Sequence, residues 1–267
     1  MSPNSQIAPN SINPDVRDRE TWPKAIVGYA VDYAQGHSTG FHRHMRAQLV
    51  HADRGLMAVR TGSGSWLVPP GHAVWVPAEV VHEVRATTPV GMRTLYLRSD
   101  SGVPIGPDCR VVEIPELVRG LIGRVVMLPR DYPAEGPEAR LVAVLADELS
   151  VLAPAPLDLP LPSDRRALEV ARGLIEAPGD ERSLTAWGRD VGASDRTLAR
   201  LFEAETGLSF GAWRRRRRLL AALERLAAGT PVTTVALDMG YASPSAFVAM
   251  FRRELGASPT RYLGARA

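Results

Sequence analysis

One supersecondary unit is written twice between residues 183 and 263, and this duplication restricts the fold more than any other feature of the chain. The first copy runs Leu184-Thr-Ala-Trp-Gly-Arg-Asp-Val-Gly192, continues Ala-Ser-Asp-Arg-Thr-Leu-Ala-Arg-Leu-Phe202 and closes at Gly207. The second runs Val232-Thr-Thr-Val-Ala-Leu-Asp-Met-Gly240, continues Tyr-Ala-Ser-Pro-Ser-Ala-Phe-Val-Ala-Met-Phe251 and closes at Gly256. Each begins as a short helical run stopped by glycine, the residue type that accepts a left-handed turn after a helix. Ser194 and Ser243 follow as N-caps, and Pro244 suits the first position of the new helix. Leu198 with Phe202, and Phe247 with Phe251, set apolar side chains at i and i+4. Helix, glycine turn and capped helix make a helix-turn-helix, and two in tandem point to a nucleic-acid surface.

The closing signature Gly240-Tyr-x-Ser-Pro-Ser-x-Phe247-x3-Phe251-Arg-x3-Gly256-x-Ser-Pro259-x2-Tyr262 resembles the DNA-binding domain of the AraC/XylS transcription regulators. That domain has two helix-turn-helix units joined by one long helix, and the resemblance covers about the last 100 residues. It implies a transcription regulator on a double-stranded DNA operator, a homodimer, and a meeting with RNA polymerase if the protein activates.

The faces of the two second helices follow from what the core must take. Leu198, Leu201 and Phe202 face inward, which leaves Arg196, Thr197, Ala199 and Arg200 outward. Arg196 and Arg200, four residues apart, point into one groove, where arginine grips guanine bidentately. The resemblance places both at base-contacting positions. The matching face of the second unit is Ser245, Ala246, Val248 and Ala249, which lacks a long polar reader, and Arg252 and Arg253 beyond it are expected on phosphates. With the caps Ser194 and Ser243, these residues form the expected DNA-facing set. Between the units, Phe210 to Leu226 reads as the connecting helix, with Trp213, Leu219, Leu220, Leu223 and Leu226 on its apolar side. Its five arginines, Arg214 to Arg218, circle the helix, so only some can reach phosphate.

Charge divides along the same line. Residues 165–267 hold 17 Arg against 11 acidic residues, a net +6, whereas residues 1–164 hold 15 basic and 18 acidic residues, a net −3. A basic module attached to a mildly acidic one suits a DNA-binding domain joined to something else. The single cysteine, Cys109, excludes an internal disulfide framework. It suits the cytoplasm, and no apolar run is long enough for a membrane span. Residues 1–22, polar and with Pro3, Pro9 and Pro14, are expected to be a disordered tail without the apolar core of a signal peptide.

From Ala25 to Arg98 the pattern changes to short alternating segments cut by Gly and Pro. Ala25–Tyr33, Ala47–His51, Gly55–Thr61, Ala73–Pro77 and Met92–Arg98 read as strands, which suggests a small barrel or jelly roll. Gly36-x5-His42-x-His44-x3-Gln48-x6-Gly55 resembles the first cupin motif, with Gln in place of Glu. Gly71-x5-Pro77-x-Glu79-x2-His82-x3-Ala86 resembles the second, with Glu79 in place of Gly and Ala86 in place of Asn. In cupins the matching positions bind a divalent metal, which here would mean His42, His44, Gln48 and His82 holding Zn, Fe or Ni. Two His at i and i+2 on a strand project to one side, into a barrel. Three readings stand: a metal site, a metal-free pocket for a small-molecule effector, and polar packing. Loss of the anionic Glu leaves a cation less well compensated. Trp75 is grouped with the effector residues, with Trp66, Tyr29 and Tyr96 as aromatic candidates beside it; each either stacks on a planar effector or packs in the core.

After Gly106 the pattern is helical. Pro115–Leu128 is one run, and Pro137–Leu152 carries Leu141, Val144, Leu145, Leu149 and Leu152 as one apolar stripe. Such a stripe either covers the barrel or pairs two subunits. Ala153–Pro162 holds four prolines, expected to forbid helix and strand and to act as a semi-rigid linker. Ser163 is expected to cap the helix that follows. The expected architecture is therefore an α+β multidomain chain. It has a tail at 1–22, a cupin-like (RmlC-like jelly roll) sensor at 23–112 and dimerisation helices at 113–152. A linker at 153–162 and an all-α DNA-binding domain at 163–267 complete it. The alternative is a metal-dependent cupin dioxygenase or isomerase fused to a DNA-binding domain. Gln48 and Ala86 count against it.

Overall fold

The computed structural model describes residues 21–264, apart from 105 and 156. The chain clusters into one unit up to Ala155, less Ser63–Ser65, and a second made of Ser63–Ser65 and the chain beyond 155.

The first unit is antiparallel β-structure. Strands β1 (Ile26–Tyr33), β2 (Ala47–Arg54), β5 (His72–Val76), β7 (Val90–Leu97) and β8 (Arg110–Glu113) form one sheet in the order β1-β7-β2-β5-β8. In the other sheet β6 (His82–Ala86), β3 (Met57–Thr61) and β4 (Gly64–Val68) are neighbours in that order. Five strands fall where the alternating segments lie; β4, β6 and β8 are additional. The composition of β6, His-Glu-Val-Arg-Ala, hides it from a search for apolar alternation.

Register decides which side chains share a face. Gln48 pairs with Val76 and Tyr96, and its neighbour Leu49 pairs with Trp75 and Leu95. The Leu49 face is covered by two helices, α1 (Glu116–Val125) and α2 (Pro137–Leu149). Their Val118, Ile122, Val142, Leu145 and Leu149 join Leu49, Trp75 and Leu95 in one buried cluster. The expected stripe is thereby corrected: Leu145 and Leu149 are buried, but Val144 is 47% exposed and Val142 takes its place in the core. Gly28 allows the close approach of α1's end, since a Cβ there would lie 2.6 Å from Val126 Cα. Trp22, assigned to the expected tail, belongs to the fold: its carbonyl accepts from Arg46 Nη2 at 2.6 Å, and its ring lies 4.7 Å beneath the Arg130 guanidinium. Residues 1–20 of that tail lie outside the described residues.

The second unit opens with a correction. Asp158–Pro160 is a short strand (β9), and Leu161 N donates to Ser63 O at 3.0 Å. Proline lacks only its own N–H, so it is tolerated in a strand where that position needs no donor. Asp164, not Ser163, caps helix α3 (Arg165–Glu176), accepting from Arg166 N at 2.9 Å. Ser163 is engaged elsewhere, its Oγ donating to Glu205 at 3.0 Å.

The helices that follow are α4 (Leu184–Val191), α5 (Asp195–Thr206), α6 (Phe210–Ala227), α7 (Val232–Asp238), α8 (Pro244–Leu255) and α9 (Pro259–Gly264). Ser183, Ser194, Ser209 and Ser243 each cap a helix, accepting from the backbone N–H three residues on. Each such bond satisfies a donor that the first turn leaves without a partner, and is worth about 1 kcal/mol. Gly192, at φ 68°, ends α4 in the left-handed conformation, and Gly256, at φ 74°, ends α8 the same way. Around them Phe202 packs edge-on against Phe210 and Trp213, and Phe247 against Tyr241 and Phe251. Each helix-turn-helix thus has its own aromatic core, with α6 running between them.

Candidate functional site

The histidines converge in the barrel. His42 is not on a regular strand as expected: it forms an isolated antiparallel bridge with His82, and His44 lies on the irregular lead-in to β2. Backbone bonds His42 N to His82 O (2.9 Å) and His82 N to His42 O (2.8 Å) still join the two motif halves. His42, His44 and His82 are buried, and each offers a ring nitrogen such that the three atoms lie within 4.8 Å of one another.

Carbonyl neighbours assign the ring protons. His42 Nδ1 donates to Gly40 O at 2.9 Å, His44 Nδ1 to Arg46 O at 2.5 Å and His82 Nδ1 to Val80 O at 2.9 Å. A carbonyl only accepts, so each Nδ1 carries a proton, and in the neutral ring each Nε2 then presents a lone pair. Gln48 is oriented by a similar chain. Thr94 Oγ1 donates to Leu49 O at 2.9 Å, so it accepts from Gln48 Nε2, also at 2.9 Å, and Gln48 Nε2 further donates to Tyr96 Oη at 3.1 Å. That turns Gln48 Oε1 toward the histidines, 3.0 Å from His44 Nε2 and 3.2 Å from His82 Nε2.

With neutral rings, lone pairs face lone pairs, an arrangement that a cation relieves. A proton is disfavoured at His82, whose pKa is lowered to about 3 by burial first and then by His44 and His42 beside it. Neutral imidazoles with their second nitrogen fixed on a carbonyl are the usual form of metal-binding histidines. The donor set, three imidazole nitrogens and one amide oxygen, fits a divalent transition metal.

Glu79 stands where the motif has Gly, and its backbone keeps the glycine conformation at φ 65°. Its N–H donates to His44 O at 2.9 Å, which fixes the histidine's backbone. Such a φ costs a non-glycine residue on the order of 1 kcal/mol. Trp75 is corrected as an effector residue. It lies on the helix-covered face of its sheet, opposite Gln48, because residues one apart in a strand point to opposite sides. Of the two residues that fix Gln48, Tyr96 is an aromatic candidate of the sequence, whereas Thr94 was missed as part of the site. Their two-residue spacing on β7 was the available signal.

Of the residues expected to face DNA, Arg196, Ala199 and Arg200 are exposed along α5. Neither arginine side chain makes a hydrogen bond or ion pair among the described residues. Ser194 Oγ accepts from Thr197 N at 3.1 Å and lies 2.8 Å from Thr197 Oγ1. Both residues thus build the helix start. Ser243 does the same for Ala246 N at 3.2 Å. Ser245, Ala246, Ala249, Arg252 and Arg253 are exposed on α8, with Arg253 3.4 Å from Glu254.

Four members of the run Arg214–Arg218 are half-buried and bonded within the domain. Arg214 donates to Arg182 O, Arg217 to Ile175 O, and Arg218 to the carbonyls of Pro178 and Asp180. Arg216 pairs with Asp158 at 2.8 Å. Arg215 is the exposed member.

A ligand-binding barrel in front of a tandem helix-turn-helix defines a class: the one-chain, ligand-controlled transcription regulators. The chain matches the model of the AraC-like ligand binding domain over residues 24–125 and of the helix-turn-helix domain over residues 187–265. It belongs to the AraC family. HTH-type transcriptional regulator NimR of Escherichia coli (strain K12) is 34% identical over 222 residues, which cover 83% of this chain and 81% of that protein. Regulatory protein SoxS of Salmonella typhimurium (strain LT2) is 39% identical over 72 residues, 27% of this chain and 67% of that one. The crystal structure of ToxT from Vibrio cholerae with unsaturated fatty acid bound covers 90% of this chain and 95% of its own, at 11% identity and a TM-score of 0.37. No helix among the described residues is long and apolar enough to cross a membrane.

Proposed function

We propose that this AraC-family regulator works in the cytoplasm as a homodimer on operator DNA, and that its barrel senses a small molecule through a divalent cation. The cation, Zn, Fe or Ni, is held by His42, His44 and His82, with Gln48 as a neutral fourth donor. The observation that carries this reading is the convergence of Nε2 and Oε1 lone pairs, each fixed by a hydrogen bond at the other end of its side chain. When bound, the metal supplies a Lewis-acid position for an effector. The protein's own part is to keep the imidazoles neutral and aimed. Its relatives are named regulators, and the barrel is read as a sensor rather than a catalyst.

We assign base reading to Arg196 and Arg200, with Ser194 and Thr197 shaping the helix start. Ser243, Ser245, Ala246 and Ala249 form the weaker reading face of the second unit, and Arg252 and Arg253 meet phosphates. Dimerisation is assigned to α1 and α2, which leave Leu117 57% and Val144 47% exposed after covering the sheet. RNA polymerase is a partner if the protein activates. The division of labour follows the sequence: sensor at 23–112, pairing helices at 113–152, connection at 153–162 and DNA-binding domain at 163–267.

The test is elemental analysis of the purified full chain, with melting curves before and after chelation. About one transition-metal ion per chain and a lower melting point after chelation are expected. A chain that purifies without metal, takes up none on dialysis and melts unchanged would reduce the cluster to a metal-free pocket or polar packing.

A further inference from the structure

Arg218 sits where the two helix-turn-helix units meet, and everything around it is built for contact. Its Nε donates to Pro178 O and its Nη2 to Asp180 O, each at 3.1 Å, on the loop between α3 and α4. The other side of the guanidinium faces the second unit: its carbon lies 5.9 Å from the Tyr241 ring centroid. A Cβ on Gly240 would lie 3.1 Å from Arg218 Nη2 and from Gly179 O. A Cβ on Gly179 would lie 2.2 Å from Asp238 O at the end of α7. The loop and the second turn therefore touch backbone to backbone, and glycine at both places makes this feasible.

Each end is anchored in a core. The Asp180 carboxylate accepts from Arg182 N and Nε, both at 2.8 Å, and the Arg182 guanidinium lies 3.5 Å over the ring of buried Trp187 in α4. Tyr241 packs 5.5 Å from Phe247, in the core of the second unit. A continuous path of packed and hydrogen-bonded groups thus runs from one core to the other through one guanidinium. Arginine's planar fork suits it, since several donors lie in fixed directions.

We propose that Arg218 is a positioning residue that locks the two helix-turn-helix units together, so that α5 and α8 meet DNA at one set spacing. It acts through the α3–α4 loop and not by touching phosphate. Operator spacing is then a specificity determinant written into the protein's interior. The inference rests on the DNA-binding reading.

The test uses the full chain and a duplex site that it enriches from a random pool, together with versions carrying one base pair more or fewer between the segments covered by the two units. One base pair moves the second segment by about 3.4 Å along the axis and turns it by about 35°. Wild type should lose about tenfold or more in affinity on either altered spacing. Arg218→Ala should flatten that profile, binding the enriched site more weakly but the altered ones nearly as before, with an unchanged salt dependence. Arg218→Lys, which keeps the charge and loses the fork, should behave like Arg218→Ala. Should Arg218→Ala fail to fold, Gly179→Ala is the second variant: its methyl wedges against Asp238 O and should move the preferred spacing. Equal weakening at all spacings with a shallower salt slope makes Arg218 a phosphate contact and overturns the proposal. Folded variants that keep the wild-type spacing profile overturn it too. A wild-type chain that enriches no duplex sinks the DNA-binding reading instead.

Discussion

The three histidines of the barrel and the five arginines of α6 are both runs of nitrogen side chains, yet the fold uses them in opposite ways. The histidines come from two separate stretches and turn their Nε2 atoms toward one place. The arginines are consecutive and turn apart, because successive residues on a helix are about 100° apart around its axis. Four of them bind carbonyls or Asp158 inside the domain, which leaves Arg215 facing out. Convergence here depends on tertiary pairing, and closeness in sequence works against it. Arg196 and Arg200, to which base reading is assigned, are exposed and spaced four apart on a different helix.

The comparison breaks most visibly at the histidines. His44→Ala or His82→Ala should take metal content from about one per chain to none, as expected when a three-histidine site loses a ligand. Elemental analysis with a far-UV spectrum for the fold checks it. A folded His44→Ala that retains metal and responds normally to effector would leave the cluster as packing.

Next comes the DNA face. Arg200→Ala should cost about 1–3 kcal/mol on the enriched site and relax preference at one or two base pairs. Competition with point-mutated duplexes measures both, and equal weakening of every sequence would make Arg200 a phosphate contact. The same scan should find its sharpest discrimination under α5. The short side chains of α8 leave little beyond contact with thymine methyls.

A third measurement concerns a histidine outside the cluster. His51 is buried, its Nδ1 donating to His72 O at 2.8 Å and its Nε2 without a partner among the described residues. Burial lowers its pKa, a shift moderated by the His72 carbonyl and Asp53 and reinforced by Arg119 of α1 and Arg93 of β7. The unfolded chain therefore takes up the proton first as pH falls below about 6.5. The stability His51 contributes is complete above that pH and is lost as pH falls through it, by at most about 1.4 kcal/mol per unit. Denaturant midpoints between pH 7 and 5 should slope less in His51→Phe. An identical slope would show that the proton goes elsewhere.

The smallest effect separates the arginines from one another. Arg215→Ala should make the salt dependence of DNA binding shallower by about one ion. Arg216→Ala should leave it unchanged and cost under about 1 kcal/mol of stability, since its pair with Asp158 is partly exposed. Equal salt slopes for the two variants would mean that the inward and outward members of the run do not differ in function.

Much of the second unit was legible because its code is local. A serine cap, a glycine stop and apolar residues four apart lie within a dozen positions, and capping bonds and helix periodicity act over that distance. The barrel was legible only in part. His42, His44, Gln48 and His82 could be named from their spacing, but Thr94 could not, and Tyr96 only as an aromatic candidate. Those two enter the site because β7 pairs with β2 in one register.

The sequence by itself determined the two helix-turn-helix units, their caps, the arginines on α5 and the histidine set. Only the tertiary structure decided that Trp75 faces the helices and Gln48 the histidines, that Val142 and not Val144 is core, and that Asp158–Pro160 forms a strand. It also decided that most of the arginine run bonds within the domain. The physical reason is the same in each case. A strand has two faces and a helix many, and which of them is buried depends on what packs against it from far along the chain.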